Sequence, residues 1–261
     1  MNLQLNYKHA LVCGASKGLG KASAIELAKI GARVTVVARS ETLLKEVLQG
    51  LKLISALEHN YLVLDLSDIS SVESQISVIN KENPIQIVVN NSGGPAGGTL
   101  LDANIDDMVS AFRNHVLCSQ TIAKIVIPSM RQLNYGRIIN IVSTSVRQPI
   151  SGIGISNTIR GAMASWSKTL SNELSPDGIT VNNVLPGSTK TQRLDEIMEA
   201  RMFSSGKTKE EIKQDFLNEI PMKRFGVKSE IAAAVAFLAS PAAAYITGVN
   251  LPVDGGKIRS I

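Results

Sequence analysis

The sequence predicts an α/β fold: a seven-stranded parallel sheet, doubly wound, with helices on both faces, in a single domain spanning residues 1–261. Three observations carry this. Apolar residues 10–13 run into a glycine turn, a helix-forming stretch at 21–30 closes on Gly31, and a second apolar run follows at 33–38, which together make one βαβ unit. Residues 85–89 are dominated by Ile and Val, as in a strand buried on both faces. Strand-like and helix-period runs then alternate to the end of the chain, the order that builds a parallel sheet.

The elements follow in order. Ser40 can cap a short helix over 41–48, with Leu43, Leu44, Val47 and Leu48 at helical spacing. A third strand at 61–64 leads to Asp65 and Leu66, and Ser67 or Asp68 caps a helix to about residue 80. After the strand at 85–89, a glycine-rich loop at 93–98 is expected to form a mobile wall of a cleft. Residues 104–132 carry Met108, Phe112, Val116, Ile122 and Ile125 at helical spacing, one long helix despite Pro128. A fifth strand ends at Ser143, a helix runs over 157–174, and a sixth strand over 180–185. Two helices separated by Ser204, Ser205 and Gly206 occupy 195–218. A helix at 229–240 and a strand at 250–253 end the series.

Composition narrows the function classes. The net charge of +5 is spread along the chain, without the clustered cations and interleaved aromatics of a nucleic-acid groove, so no nucleic-acid partner is expected. No stretch reaches the roughly 18 apolar residues of a membrane span, and residues 1–8 do not resemble a signal peptide, so a cytoplasmic location away from membranes is expected. Cys13 and Cys118 have no metal-like spacing and read as buried thiols in a reducing compartment; no metal site is expected.

The chemistry starts at the first turn. Gly14, Ser16, Lys17, Gly18, Leu19 and Gly20 stand between a strand and a helix, where glycines admit a pyrophosphate to the backbone and first-turn N–H groups face the anion. An acid after the second strand would bind a ribose 2′-hydroxyl; this chain has Arg39 there, and Lys17 adds a second cation. NADP is therefore expected in preference to NAD.

The glycine spacing G-x-x-x-G-x-G, the turn Asn90-Asn91-Ser92-Gly93, the strand 136–143 ending in Ser143, the segment Pro186-Gly187-x-x-x-Thr191 and Asp254-Gly255-Gly256 resemble, in order, the signatures of the short-chain dehydrogenase/reductase family. The resemblance spans essentially the whole chain. It implies a Rossmann-like fold and an NADP(H)-dependent oxidoreductase similar to 3-oxoacyl-carrier-protein reductases, acting on a ketone or 3-oxoacyl thioester. It also implies cofactor contacts from Asp65, Leu66, Asn91, Ser92, Gly93, Pro186, Gly187 and Thr191, a substrate lid at about 188–225, and a homotetramer or homodimer. Within the lid region, Lys190, Arg193, Lys223 and Arg224 are available to an anionic substrate.

The family's catalytic tetrad is altered. The family places a tyrosine thirteen residues after the serine and a lysine four further; here those positions hold Ser156 and Arg160. Its asparagine, twenty-eight residues before the serine, falls on His115, with Asn114 adjacent. A serine is a far weaker acid than a phenol of pKa about 10, and an arginine does not exchange protons near neutrality. Tyr7, Tyr61, Tyr135 and Tyr245 are not positioned to substitute, which leaves His115 as the titratable candidate beside Ser143, Ser156 and Arg160. Three functions remain open: a reductase, a cofactor-binding sensor or partner subunit, and a lyase or isomerase on the same fold.

Overall fold

β-branched strands alternating with amphipathic helices leave one economical solution, a parallel sheet covered on both faces. In the computed structural model, which describes residues 1–260, seven strands build that sheet. They are β1 (His9–Cys13), β2 (Arg33–Ala38), β3 (Asn60–Val63), β4 (Ile87–Asn90), β5 (Gly136–Ile141), β6 (Ile179–Pro186) and β7 (Asn250–Val253). The order is β3-β2-β1-β4-β5-β6-β7, and every neighbouring pair is parallel.

Successive residues of a strand point to opposite faces, and the core divides accordingly. Val12, Val36, Val89, Ile139 and Val184 pack beneath α1 (Gly18–Lys29), α2 (Glu41–Ile54) and the late helix at Lys228–Ala239. Leu11, Val37, Val88, Ile138 and Val181 pack beneath the helices on the other face, α3 (Ile69–Glu82) among them. Each fully buried Leu or Ile in these layers stabilises the fold by about 1.5–3 kcal/mol.

Several expectations are corrected. The helix α2 runs to Ile54 rather than residue 48, since Leu51 continues its buried stripe. Of the two caps considered for α3, Asp68 is the one used, accepting from the Ser71 N–H at 3.1 Å. The long helix at 104–132 is interrupted: α4 (Ile105–Phe112) passes through a π-helical turn at Arg113–Leu117 into α5 (Cys118–Gln132). Such a turn adds a residue to the helical repeat and rotates every later side chain, an event invisible to apolar spacing. The helix α6 (Gly154–Leu174) starts three residues earlier than expected, putting Ser156 and Arg160 in its first two turns. The next helix, α7 (Gln192–Ser205), also starts three residues early, capped by Thr191; then come α8 (Lys209–Glu219) and α9 (Lys228–Ala239).

The later strands carry an unexpected device. Asn90, Asn140, Asn183 and Asn250 occupy one register row across β4, β5, β6 and β7. Each side-chain amide donates to the next: Asn90 Nδ2 to Asn140 Oδ1 at 2.8 Å, Asn140 Nδ2 to Asn183 Oδ1 at 2.9 Å, Asn183 Nδ2 to Asn250 Oδ1 at 2.7 Å. Ser167 of α6 closes the centre, accepting from Asn140 at 2.6 Å and donating to Asn183 at 2.7 Å. Buried amides are tolerated when their polar atoms find partners, and here they lock β4 to β7 and anchor α6 directly below the crevice.

Candidate active site

The sheet order reverses between β1 and β4, and the crevice outside the carboxyl ends of those strands is where open α/β sheets bind ligands. Both walls derive from sequence motifs. After β1, Gly14 has φ +58°, and a Cβ there would stand 2.5 Å from the Asn91 carbonyl oxygen. After β4, Asn91 sends Nδ2 back to the Gly14 carbonyl at 3.1 Å, so each wall braces the other. Gly18 has φ +62° and no atom within 4 Å of its Cβ position; the first turn of α1 opens on free space where an anion can approach its N–H groups.

The ribose end of the crevice carries cations. Arg39 is exposed at the end of β2 with no acid beside it in sequence. Asp65 accepts from the Ser67 N–H at 2.9 Å and the Ser67 hydroxyl at 2.8 Å; these bonds, and more weakly the nearby Arg39 charge, hold its carboxyl below the usual range. Lys17 is also exposed and donates to Gln192 Oε1 of α7 at 2.7 Å. Gly187 follows β6 where a Cβ would stand 2.6 Å from the Asp254 Cα, so Pro186 and Gly187 pack against the turn after β7. Thr191 accepts from the Leu194 N–H at 3.3 Å and starts α7 at the rim. The open cradle and paired cations fit a dinucleotide with a phosphorylated ribose.

On the other side of the crevice stand the residues at the family's tetrad positions. Arg160 is buried, and its Nη1 donates to the Ile141 carbonyl at 3.1 Å, tying α6 to the end of β5 two residues before Ser143. Ser143 turns the chain into a 3₁₀ turn at Thr144–Val146 and accepts from the Ser145 N–H at 3.1 Å. Ser156 is buried one turn before Arg160 on α6, which packs against that 3₁₀ turn. Arg160, His115, Asn91, Ser92 and Asn114 line a small, partly open pocket of about 10 Å³, room for about one water. The Asn114 Oδ1 is buried there without a protein partner.

The electrostatics are unusual. Burial, then the charge of Arg193, lower Arg160 to about 10, so it remains a cation at neutral pH. His115 Nδ1 lies 2.6 Å from the Ser92 hydroxyl; burial, then the Arg160 charge, push this imidazole down to about 3. A neutral imidazole of that kind is a poor acid near pH 7, which weighs against His115 as the proton source at the position it holds. It braces the Ser92–Gly93 turn instead. The four tyrosines stay away from the site: Tyr135 donates to the Ala239 carbonyl, Tyr61 to Glu41, and Tyr7 and Tyr245 are exposed.

Two further observations concern the rim. The glycine-rich loop is tied down at its far end, where Gly98 N–H donates to the Gly152 carbonyl at 2.8 Å and Gly154 N–H to the Gly98 carbonyl at 3.0 Å. Of the four cations expected to meet an anion, Arg224 is paired with both carboxylate oxygens of Glu230 and Lys223 donates to the Asn218 carbonyl. Arg193 reaches inward to the Pro95 carbonyl at 2.8 Å. Sequence reasoning overlooked Gln192, the Asn row and the register of Asn114. The Asn row had a signal, since asparagine is depleted in strands yet recurs in four successive ones.

A family model described as "Enoyl-(Acyl carrier protein) reductase" matches residues 14–257, nearly the whole chain. The chain belongs to the short-chain dehydrogenase/reductase family. It is 32% identical to the NADPH-dependent reductase BacG of Bacillus subtilis over 98% of this chain and 100% of that protein. To the 3-oxoacyl-[acyl-carrier-protein] reductase FabG of Pseudomonas aeruginosa it is 33% identical, over 99% and 100%. The crystal structure of L-sorbose reductase from Gluconobacter frateurii complexed with NADPH and L-sorbose superposes with a TM-score of 0.93 at 28% identity, covering both chains fully. As a member of this family of reductases, the chain is an NAD(P)-dependent oxidoreductase. No helix among the described residues is long and apolar enough to cross a membrane.

Proposed function

We propose that this short-chain dehydrogenase/reductase uses NADPH in preference to NADH to reduce a ketone or a 3-oxoacyl thioester, without a tyrosine acid. The observation that carries the reading is the buried, charged Arg160 on α6, tied to the end of β5 beside Ser143. The bound dinucleotide, held by the Gly14–Gly20 turn, Asn91, Gly93, Pro186 and Thr191, supplies the hydride. Lys17 and Arg39 receive its 2′-phosphate, and Lys17 leaves Gln192 to do so. Ser143 and Ser156 hold the substrate oxygen by hydrogen bonds, and Arg160 stabilises the negative charge that gathers there, in a site dry enough to strengthen the attraction. The proton then comes from water, which the small polar cavity between Asn114, His115 and Arg160 is suited to hold. Residues 188–225, with α7 and α8, act as the lid.

A second reading is favoured by the absence of any phenol at the site, together with the enoyl-reductase description of the matching family model. A carbon–carbon double bond conjugated to a carbonyl takes hydride at carbon and leaves the charge on the carbonyl oxygen. Arg160 and Ser143 can hold that charge while solvent protonates carbon, and no acid of phenol strength is needed. One experiment separates the readings: NADPH oxidation with paired saturated and α,β-unsaturated ketones and thioesters, with products identified by mass. In either case Arg160→Met should lower kcat by about two orders of magnitude, the usual cost of losing an oxyanion partner. Equal turnover by that variant would refute the role given to Arg160.

The assembly is proposed to be a homotetramer or homodimer. Ile105, Val109 and Phe112 lie exposed along one side of α4, an apolar stripe that a second copy would cover. Light scattering at micromolar concentration should give a multiple of 27.9 kDa, and a monomer would refute the assembly.

A further inference from the structure

Two arginines border the chain that follows β4: Arg160 lines the pocket with Asn91 and Ser92, and Arg193 touches Gly94 and Pro95. Arg160 is 8% exposed, and among the described residues it makes no ion pair; its one hydrogen bond is to the Ile141 carbonyl. Burying a guanidinium is costly unless an anion compensates it. Arg160 lines a small pocket with Ser92, and Arg193, in the first turn of α7, touches Gly94 two residues further on, so the charge nearest that pocket besides Arg160 is another cation, one that also disfavours the charged form of Arg160. Arg193 itself lies across the loop that roofs the site. Its guanidinium packs against Gly94 and donates to the Pro95 carbonyl at 2.8 Å, two residues beyond the Ser92–Gly93 turn that His115 holds. Among the described residues its one carboxylate partner is Glu196, three residues along the same helix at 3.4 Å, the kind of exposed pair that contributes little.

We propose that the substrate is an oxo acid, its free carboxylate received by Arg193 and its reacting oxygen by Arg160. The inference deepens the reductase reading and rests on it, narrowing the substrate from ketones in general to those with a carboxylate a few atoms from the carbonyl. Two like charges near one another repel until an anion enters, and a guanidinium fork matches a carboxylate with two parallel hydrogen bonds. Arg193 can supply that fork by releasing the Pro95 carbonyl, which water then satisfies. A methyl ester of the same compound has the same shape and lacks the charge, so the arrangement selects the acid.

The test compares 2-oxohexanoate and 4-oxohexanoate with their methyl esters in the NADPH-loaded protein, by turnover and by calorimetric binding. At least one acid should be preferred over its ester tenfold or more in kcat/KM. Arg193→Met should bring the acid-to-ester ratio close to one, while Arg193→Lys, which keeps the charge and loses the fork, should retain part of it. Each variant is first checked for a native melting transition, and the acid–ester comparison in the unaltered protein needs no variant. Equal use of acid and ester, or a preference that survives Arg193→Met, overturns the proposal. If nothing turns over but an acid binds the NADPH complex tenfold more tightly than its ester, and Arg193→Met abolishes the difference, the carboxylate site stands and the reductase reading alone fails. If neither binds, the proposal fails. The cofactor's pyrophosphate is the rival anion for Arg193, and a tenfold loss of NADPH affinity in Arg193→Met with the acid preference intact would assign the residue there instead.

Discussion

Replacing Asn140 by leucine tests whether the asparagine row holds the sheet together below the site. Asn140 is 1% exposed, accepts from Asn90 at 2.8 Å, and donates to Ser167 at 2.6 Å and Asn183 at 2.9 Å. Leucine keeps the four side-chain heavy atoms and the branch at Cγ but is the larger residue, so no cavity forms and any overpacking adds to the cost. Three hydrogen bonds disappear at a net cost of about 1 kcal/mol each. The Ser167–Asn183 bond at 2.7 Å survives, which leaves the Asn90 amide as the stranded donor and adds about 1–3 kcal/mol. The total is about 4–6 kcal/mol, and for a chain of this size that lowers Tm by roughly 8–24 °C at about 2–4 °C per kcal/mol. Differential scanning calorimetry at pH 7.5 measures it directly. Asn140→Asp is the sharper control, because it still accepts from Asn90 while setting two acceptors against each other at Asn183. NADPH affinity should fall in both variants, since Asn90 precedes the Asn91 that braces Gly14. A drop below about 2 °C in Asn140→Leu would refute the reasoning, because it would mean the row contributes less than one ordinary hydrogen bond.

Acid should destabilise the protein earlier than carboxylate titration alone allows. His115 falls to about 3 in the fold, and His9 and His59 are also lowered, all three by burial first. A folded pKa below the unfolded one means full stability above about 6.5 and loss as pH falls, by up to about 1.4 kcal/mol per pH unit for each histidine. Melting temperatures should therefore fall between pH 6.5 and 5, and His115→Gln should flatten part of the slope; a level profile over that window contradicts the burial argument. For the cofactor, calorimetric titration should give NADPH at least tenfold tighter binding than NADH. Arg39→Ala should narrow that ratio, and an unchanged ratio would remove Arg39 from the 2′-phosphate site.

What the sequence alone determined were the features with local causes. Glycines at 14, 18 and 20 between a strand and a helix reveal a turn that admits phosphate, since positive φ and close approach are demanded within a few residues. The Ile and Val of β4 announce a sheet covered on both faces, and the count from Ser143 reaches Ser156 and Arg160, which one helix carries. Tertiary structure decided whatever depends on distant partners. The spacing to His115 pointed to a titratable site, but its protonation is governed by burial and by Arg160, forty-five residues away in sequence, which together keep it neutral. The π-helical turn at Arg113–Leu117 set the orientation of Asn114, and backbone hydrogen bonding leaves no apolar signature to reveal it. Arg193 and Arg224 look alike as charges on a lid. Only packing shows that Glu230 neutralises one while the other leans over the crevice, because a salt bridge depends on which side chains the fold brings within 4 Å.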